Sequence, residues 1–212
     1  MAVISKVEIK KRMELPVENP RSLVITPLLD VDSAFSADSV DVRLGSHFLL
    51  PEVPPLPFLA MDSESAKPAH VRVHVPWGKY VVVPAHQTVL GATLEFIKIP
   101  VDFSAQILTK SSIARTFVVI ETAPWVHPSY RGCLTLEIAN VSNTPLLLHP
   151  GIPIGQLILQ AIALDSVPTE DINLGGSYLG PVYPEAPRFA KLTDTLKKVG
   201  ISNVDVPRIW NS

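Results

Sequence analysis

Twenty-one prolines in 212 residues, against ten glycines, set the strongest limit on what this chain can build. A proline inside a helix removes a backbone hydrogen bond and presses its ring on the preceding turn, so long helices are disfavoured almost everywhere. Between the prolines stand short β-branched runs: "SLVITPLL", "SVDVRLG", "HVRVHVP", "KYVVVPA", "TLEFIKIP", "AQILTK", "FVVIET", "CLTLEIAN", "PLLLHPG" and "PIGQLILQAIAL". Pro, Gly, Asn and Asp turns separate them, the pattern of an all-β sandwich or barrel. Two helices are expected: a short one near Ile4–Met13, and one near Ala190–Val199, where "AKLTDTLKKVG" ends on glycine. Val53–Pro68, rich in proline and serine, reads as a surface loop. Strand character fades after about Asp165, so residues 1–165 are expected to form a β core and residues 166–212 a C-terminal tail or lid with a short helix.

Composition narrows the function classes. Apolar residues at 47% and charged residues at 18% suit a folded core. A net charge of −2 with no basic run speaks against a nucleic-acid partner. Cys133 is the single cysteine, which leaves no disulfide within the chain and no Cys-based zinc cluster. A zinc deaminase site would need a C-x-x-C-like pair, and the sequence has none. The opening "MAVISKVEIKKRMELP" lacks the apolar centre of a signal peptide. No run approaches the roughly 20 apolar residues of a membrane helix. The expectation is a soluble chain of the cytoplasm with no membrane partner.

Four stretches carry chemistry. In "CLTLEIAN", alternation puts Cys133, Thr135 and Glu137 on one face and Leu134, Leu136 and Ile138 on the other. Glu137 is then either a solvent-facing glutamate or a carboxylate lining a cleft. "TKSSIAR" sets Lys110, Ser111 and Ser112 close to Arg115, enough hydrogen-bond donors for one anion. The same residues also read as a helix start with a serine cap and a surface arginine. "ETAPWVHPSYRG" is a turn-rich link between strands. Its backbone could read a pyrimidine edge, or Trp125 and Tyr130 could simply pack a hairpin. In "HVRVH", the alternation of His70, Arg72 and His74 with valines reads as a strand with one wet face rather than a metal site.

Together these segments resemble the dCTP deaminase branch of the dUTPase-like superfamily. "SADSVDVRLGSHFLL" is similar to the family's Q-P-x-S-I-D-L-R-L-G block. "TVLGATLEFIKIPVDFSAQI" resembles its L-G-x-T-L-E strand and I-P-x-D turn, and "KSSIAR" its R-S-S-L-x-R phosphate motif. "TAPWVHPSYRGCLTLEIAN" resembles T-A-G-W-I-D-P-G-F-x-G-x-I-T-L-E, and "PLLLHPGIPIGQLIL" the P-G-x-x-I-G-Q-L strand. The resemblance implies a mainly β subunit, a β-clip or dUTPase-like distorted barrel with short helices, assembled as a homotrimer. It implies hydrolytic deamination of dCTP to dUTP and ammonia without protein-bound zinc, with Mg²⁺ arriving on the substrate triphosphate. Glu137 would be general base and acid, with Ser111 and Arg115 as catalytic partners. Lys110 and Ser112 would join Ser111 and Arg115 on the triphosphate, supported by Gln156. Thr122, Ala123, Pro124, Trp125 and Val126 would hold the pyrimidine and deoxyribose, with Tyr130 beside them and Tyr178 on a lid.

Departures from the family pattern keep three readings open. His127 stands where the family carries Asp, the base for attack on the α-phosphate in dUTPases, and Pro124 replaces a hairpin glycine. The tail "GGSYLGPVYPEAPR" resembles the lid K-Y-x-G-Q-x-G-P-x-P-S-R, with Ser177 in place of its lysine and Pro181 or Leu179 in place of its glutamine. Arg188 or Lys191 could substitute for the lost lid side chains. The readings are a dCTP deaminase, with or without continuation to dUMP, a dUTP pyrophosphatase, and a catalytically weak nucleotide-binding trimeric paralogue.

Overall fold

In the computed structural model, which describes residues 2–52, 70–121, 123–163 and 180–187 together with Lys198, the proline-punctuated runs become strands. The surface loop expected at Val53–Pro68 lies outside these residues, as does all but Lys198 of the helix expected at Ala190–Val199. The chain divides into two units: Met1–Leu50 with Arg72–Glu185, and Pro51–Val71 with Ala186–Ser212. Described residues of the second unit are Pro51, Glu52, His70, Val71, Ala186, Pro187 and Lys198.

The expected N-terminal helix is α1, Lys6–Met13. Ser5 caps it by accepting the Glu8 N–H. Arg12 locks the helix down: its guanidinium donates to Asp102 through two bonds of 3.0 and 2.8 Å, donates to Glu8 at 2.8 Å, and lies 4.5 Å from the Phe103 ring. The remaining elements follow as β1 (Val24–Thr26), α2 (Val31–Ala34), β2 (Ser39–Arg43), β3 (His47–Pro51), β4 (His70–His74), β5 (Val81–Val83), β6 (Thr88–Ala92), β7 (Phe96–Lys98) and β8 (Phe103–Thr109). After β8 come α3 (Ser111–Ala114), β9 (Val118–Ile120), β10 (Trp125–Val126), β11 (Arg131–Gly132), β12 (Thr135–Asn140), β13 (Leu146–Leu148) and β14 (Pro153–Ala161).

Among the described residues the strands form four sheets rather than one closed barrel, in the orders β1-β7-β11, β10-β8-β14-β2, β4-β3-β6-β12-β9 and β13-β5. Their pairs β1·β7, β7·β11, β8·β10, β8·β14, β2·β14, β3·β6, β6·β12, β9·β12 and β5·β13 are antiparallel. Phe48, Leu136, Ile138, Leu157 and Leu159 are among the fully buried side chains of one continuous core. β4 is a strand as expected, but its faces do not sort cleanly, since Val71 is itself exposed.

Three polar devices lie inside this apolar frame. Lys98, nearly buried, donates to the carbonyls of Val17 and Asn19 and to the Ser22 hydroxyl at 2.5–2.8 Å, pinning the segment before β1. Burial pushes its pKa down, with the Arg131 charge adding to the effect. Glu95 is fully buried and accepts the Arg43 backbone N–H at 2.9 Å, with the Arg43 guanidinium 3.7 Å from its other oxygen. Asn140 spreads its side chain over the carbonyls of Val83, Pro84 and Thr144, holding the turn after β12.

Candidate active site

Three strands bring the first group of candidate residues together. Lys110 follows β8 with extended backbone and is the N-cap residue of α3, with no side-chain capping bond. The helix expected as one alternative is therefore present, but the serine cap is not. Ser111 and Ser112 are its first two residues, Arg115 terminates it, and all three are exposed. The Lys110 ammonium turns back to pair with the Asp41 carboxylate on β2. The second Asp41 oxygen accepts from Gln156 Nε2 on β14 at 3.4 Å. The register explains the meeting, because Gln156 faces Asp41 on one side and Leu108 of β8 on the other. Asp41, only 7% exposed, was not singled out from the sequence although it lies in the "SVDVRLG" block.

Glu137 is reached through the next strand. α3 ends in a turn at Thr116–Phe117, where Phe117 takes a φ of 63° and stays exposed. β9 then begins, and its Ile120 N–H donates to the Thr109 hydroxyl at 2.8 Å while Ile120 pairs with Ile138 of β12. One row, Thr109–Ile120–Ile138, thus runs from the residue before Lys110 to the residue after Glu137. The serine–arginine helix and the glutamate flank the same short strand.

The β12 alternation holds where it matters. Leu134, Leu136 and Ile138 are buried, whereas Thr135 and Glu137 are half-buried on the other face. Cys133, which the alternation sets on the face of Thr135 and Glu137, is buried. Glu137 Oε2 is shielded from solvent, so the residue is no ordinary surface glutamate. Its carbonyl accepts the Glu121 N–H at 2.8 Å, which sets a second carboxylate residue across from it; Glu121 is exposed and was missed in the sequence.

The base-reading segment is partly committed to the sheet. Ala123 and Pro124 are exposed, and the Pro124 carbonyl accepts the Ile107 N–H at 3.3 Å. Trp125 and Val126 pair with Gln106 and Ala105 of β8, so this stretch is a strand edge with Val126 buried and Trp125 half-buried. Tyr130 packs its ring against the core and donates its hydroxyl to the Cys133 carbonyl at 2.9 Å. Burial pushes its pKa well above the ordinary tyrosine value. His127, at the tip, is exposed. Thr122 lies outside the described residues, as do Tyr178, Ser177, Leu179, Arg188 and Lys191.

Part of the tail is described and lies along β11 and β12. The Gly180 N–H donates to the Arg131 carbonyl and the Cys133 N–H to the Pro181 carbonyl, both at 2.7 Å. The Glu185 N–H donates to the Thr135 hydroxyl at 3.2 Å, on the face that Glu137 shares. Gly132, at φ 142°, makes the approach possible, since a Cβ there would stand 2.6 Å from the Pro181 ring. Tyr183 docks edge-on to His47 at 4.5 Å, with the Arg72 guanidinium 5.5 Å from its ring. His47 also meets the His74 ring at 4.7 Å, and burial with the nearby His74 and Arg72 charges lowers its pKa.

Comparison with known proteins shows the family and the fold. Residues 3–162 match the family described as dCTP deaminase-like. The dCTP deaminase of Halorubrum lacusprofundi is 33% identical over 79% of this chain and 83% of its own length. The dUMP-forming dCTP deaminase of Methanobrevibacter smithii is 31% identical over 93% of this chain and its whole length. Among solved structures, the 2'-deoxycytidine 5'-triphosphate deaminase from Agrobacterium tumefaciens superposes with a TM-score of 0.56 at 19% identity. That match spans 76% of this chain and 48% of the longer one, and shows a shared fold.

Proposed function

The chain belongs to the dCTP deaminase-like family, and from that premise we propose that it removes the amino group of dCTP by hydrolysis, giving dUTP and ammonia. The observation that carries this reading is the half-buried Glu137 on β12, one strand away from the Lys110–Arg115 donors. A carboxylate so placed can act on a ring whose triphosphate is held by the neighbouring donors.

The roles follow from the chemistry. Lys110, Ser112 and Arg115 bind phosphate oxygens with charge-assisted or hydroxyl hydrogen bonds, and Gln156 adds an amide. Ser111, next to them, and the Ala123 carbonyl orient the attacking water. Glu137 takes one proton from that water as its oxygen bonds to C4 of cytosine and passes it to the ring nitrogen N3; it then carries the remaining hydroxyl proton to the amine, which leaves as ammonia as the C4 carbonyl forms. The sum is dCTP plus water giving dUTP plus ammonia. The Thr122–Val126 backbone holds the pyrimidine, and holding the reactants in line supplies part of the acceleration. Mg²⁺ would come with the triphosphate and offset its charge. The residues at this edge suit phosphate oxygens: they are donors, and the one carboxylate among them, Asp41, already pairs with Lys110.

A homotrimer fits the exposure of Ser111, Ser112, Arg115 and Phe117 on the isolated chain, which a neighbouring copy would cover to complete the site. No helix among the described residues is long and apolar enough to cross a membrane. Continuation to dUMP, as the name of the Methanobrevibacter relative states for that protein, would need a base for attack on the α-phosphate. His127 occupies that place in the motif, so dUTP is the expected main product.

Incubation with dCTP and, separately, with dUTP, each with Mg²⁺, followed by separation of the nucleotides, tests the assignment. Uracil nucleotide formed from dCTP is expected. Pyrophosphate from dUTP with dCTP left intact would replace the deaminase by a dUTP pyrophosphatase.

A further inference from the structure

Asp41 touches two of the groups assigned to the triphosphate, yet has itself no part in the mechanism above. It is 7% exposed, on a strand whose five residues are all buried. A carboxylate at such a position needs partners. The ones it has are the Lys110 ammonium on one oxygen and the Gln156 amide on the other, at 3.4 Å. These come from separate parts of the chain, Gln156 lying 115 residues from Asp41 and Lys110 lying 69. Lysine is a flexible stem with a mobile charge, and without an anchor its ammonium would sweep over many positions. The Lys110 side chain keeps 29% of its surface open, so the ammonium is tethered from below and remains accessible from outside.

We infer that Asp41 is a positioning residue, which fixes the Lys110 ammonium and the Gln156 amide so that the phosphate-binding edge is set before a nucleotide arrives. The inference rests on the phosphate reading of that edge. Two effects of Asp41 oppose each other there. Its negative charge offsets that of Lys110 and so weakens the pull on an anion. Its anchoring removes the ordering that Lys110 and Gln156 would otherwise undergo on binding. Positioning is the larger effect here because both partners are held by one buried carboxylate, whereas the charge of an incoming polyphosphate is screened at a half-open edge.

Inorganic tripolyphosphate, titrated calorimetrically into the full chain, separates the two. Asp41→Asn removes the charge at nearly constant size, and Asp41→Glu keeps the charge but displaces it by one methylene. Both are expected to weaken tripolyphosphate binding about tenfold, the worth of one hydrogen bond to a charged group. KM for dCTP should rise in parallel, with the change carried by KM rather than kcat. In a Lys110→Met background, Asp41→Asn should add little, because the pair acts as a unit. Unchanged or tighter binding by either variant overturns the positioning role and leaves the phosphate edge standing. If Lys110→Met binds tripolyphosphate as the wild type does, or the wild type does not bind it, the phosphate edge itself falls and the role of Asp41 with it. The Glu variant decides the matter alone should the Asn variant not fold.

Discussion

Replacing Glu137 by glutamine is expected to lower dCTP turnover by about 10²–10⁴-fold, the usual worth of a positioned general acid–base group. Glutamine keeps the size and the hydrogen-bonding reach of the side chain but cannot take a proton from water. The backbone of β12 is held independently of that carboxylate, by pairing with β6 and β9 and by the burial of Leu136 and Ile138. The substitution should therefore leave the thermal midpoint nearly unchanged, and KM should move little. Steady-state kinetics together with a melting curve check this. Full activity in the variant would take Glu137 out of the mechanism. Loss of activity accompanied by loss of fold would instead mark a structural carboxylate.

Removing the Arg43 guanidinium should have the largest effect on stability. Arg43→Met removes the charge that faces the fully buried Glu95, and breaking a buried pair in this way costs about 3–5 kcal/mol. The Glu95 Oε2 bond to the Arg43 backbone N–H would survive, because it does not involve the side chain. Burial already raises the Glu95 pKa above the ordinary glutamate value, and the Arg43 charge opposes that rise. A carboxyl whose pKa is raised on folding holds its proton more tightly in the folded state. Its contribution is thus full below the unfolded-state value and is lost as pH climbs through the folded one. Without Arg43 the folded value rises further, so the variant should lose most at neutral pH and regain part of the deficit as pH falls and Glu95 takes up a proton. Chemical denaturation at several pH values reads this out. A deficit below about 1 kcal/mol at pH 7, within the range of a surface ion pair, would show that the pair is not a buried one in energetic terms.

Glu137 and Glu95 illustrate where the sequence is informative and where it is not. Glu137 stands out because a lone carboxylate interrupts an apolar alternation, and that local signal survives in the structure. The order of Lys110, Ser111, Ser112, Arg115 and Gln156 is legible in the same way, as donors grouped in family blocks. Asp41, Glu95 and Glu121 are not, because their meaning depends on register between strands far apart in sequence. Asp41 reads as one more polar residue of "SVDVRLG" until β14 places Gln156 opposite it. Glu95 is likewise an ordinary acid until β2 sets Arg43 beside it.

Strand assignment fails for a related reason where both faces are buried. β3, "HFLLP", has no polar–apolar alternation and ends on proline, so periodicity does not mark it. β6 is interrupted by Gly91, which propensity counts against a strand, so only the resemblance of "TVLGATLE" to the family's L-G-x-T-L-E strand marks it. Yet glycine is what the packing requires there, since a Cβ would come within 3.0 Å of Ile138 Cδ1 and 3.1 Å of Leu44 Cδ1. The serine cap that "TKSSIAR" offers as one alternative is a local reading too. The N-cap is Lys110, so the helix begins at Ser111, and the Lys110 side chain is drawn away to Asp41.

The source of the oxygen that replaces the amine is the most direct probe of what this chain does. With dCTP and Mg²⁺ in ¹⁸O-labelled water, the account predicts uracil nucleotide carrying one labelled oxygen at C4 and an equal amount of ammonia, neither formed by the Glu137→Gln variant at more than a small fraction of the rate. Cytosine recovered intact, with label appearing only on phosphate, would contradict it.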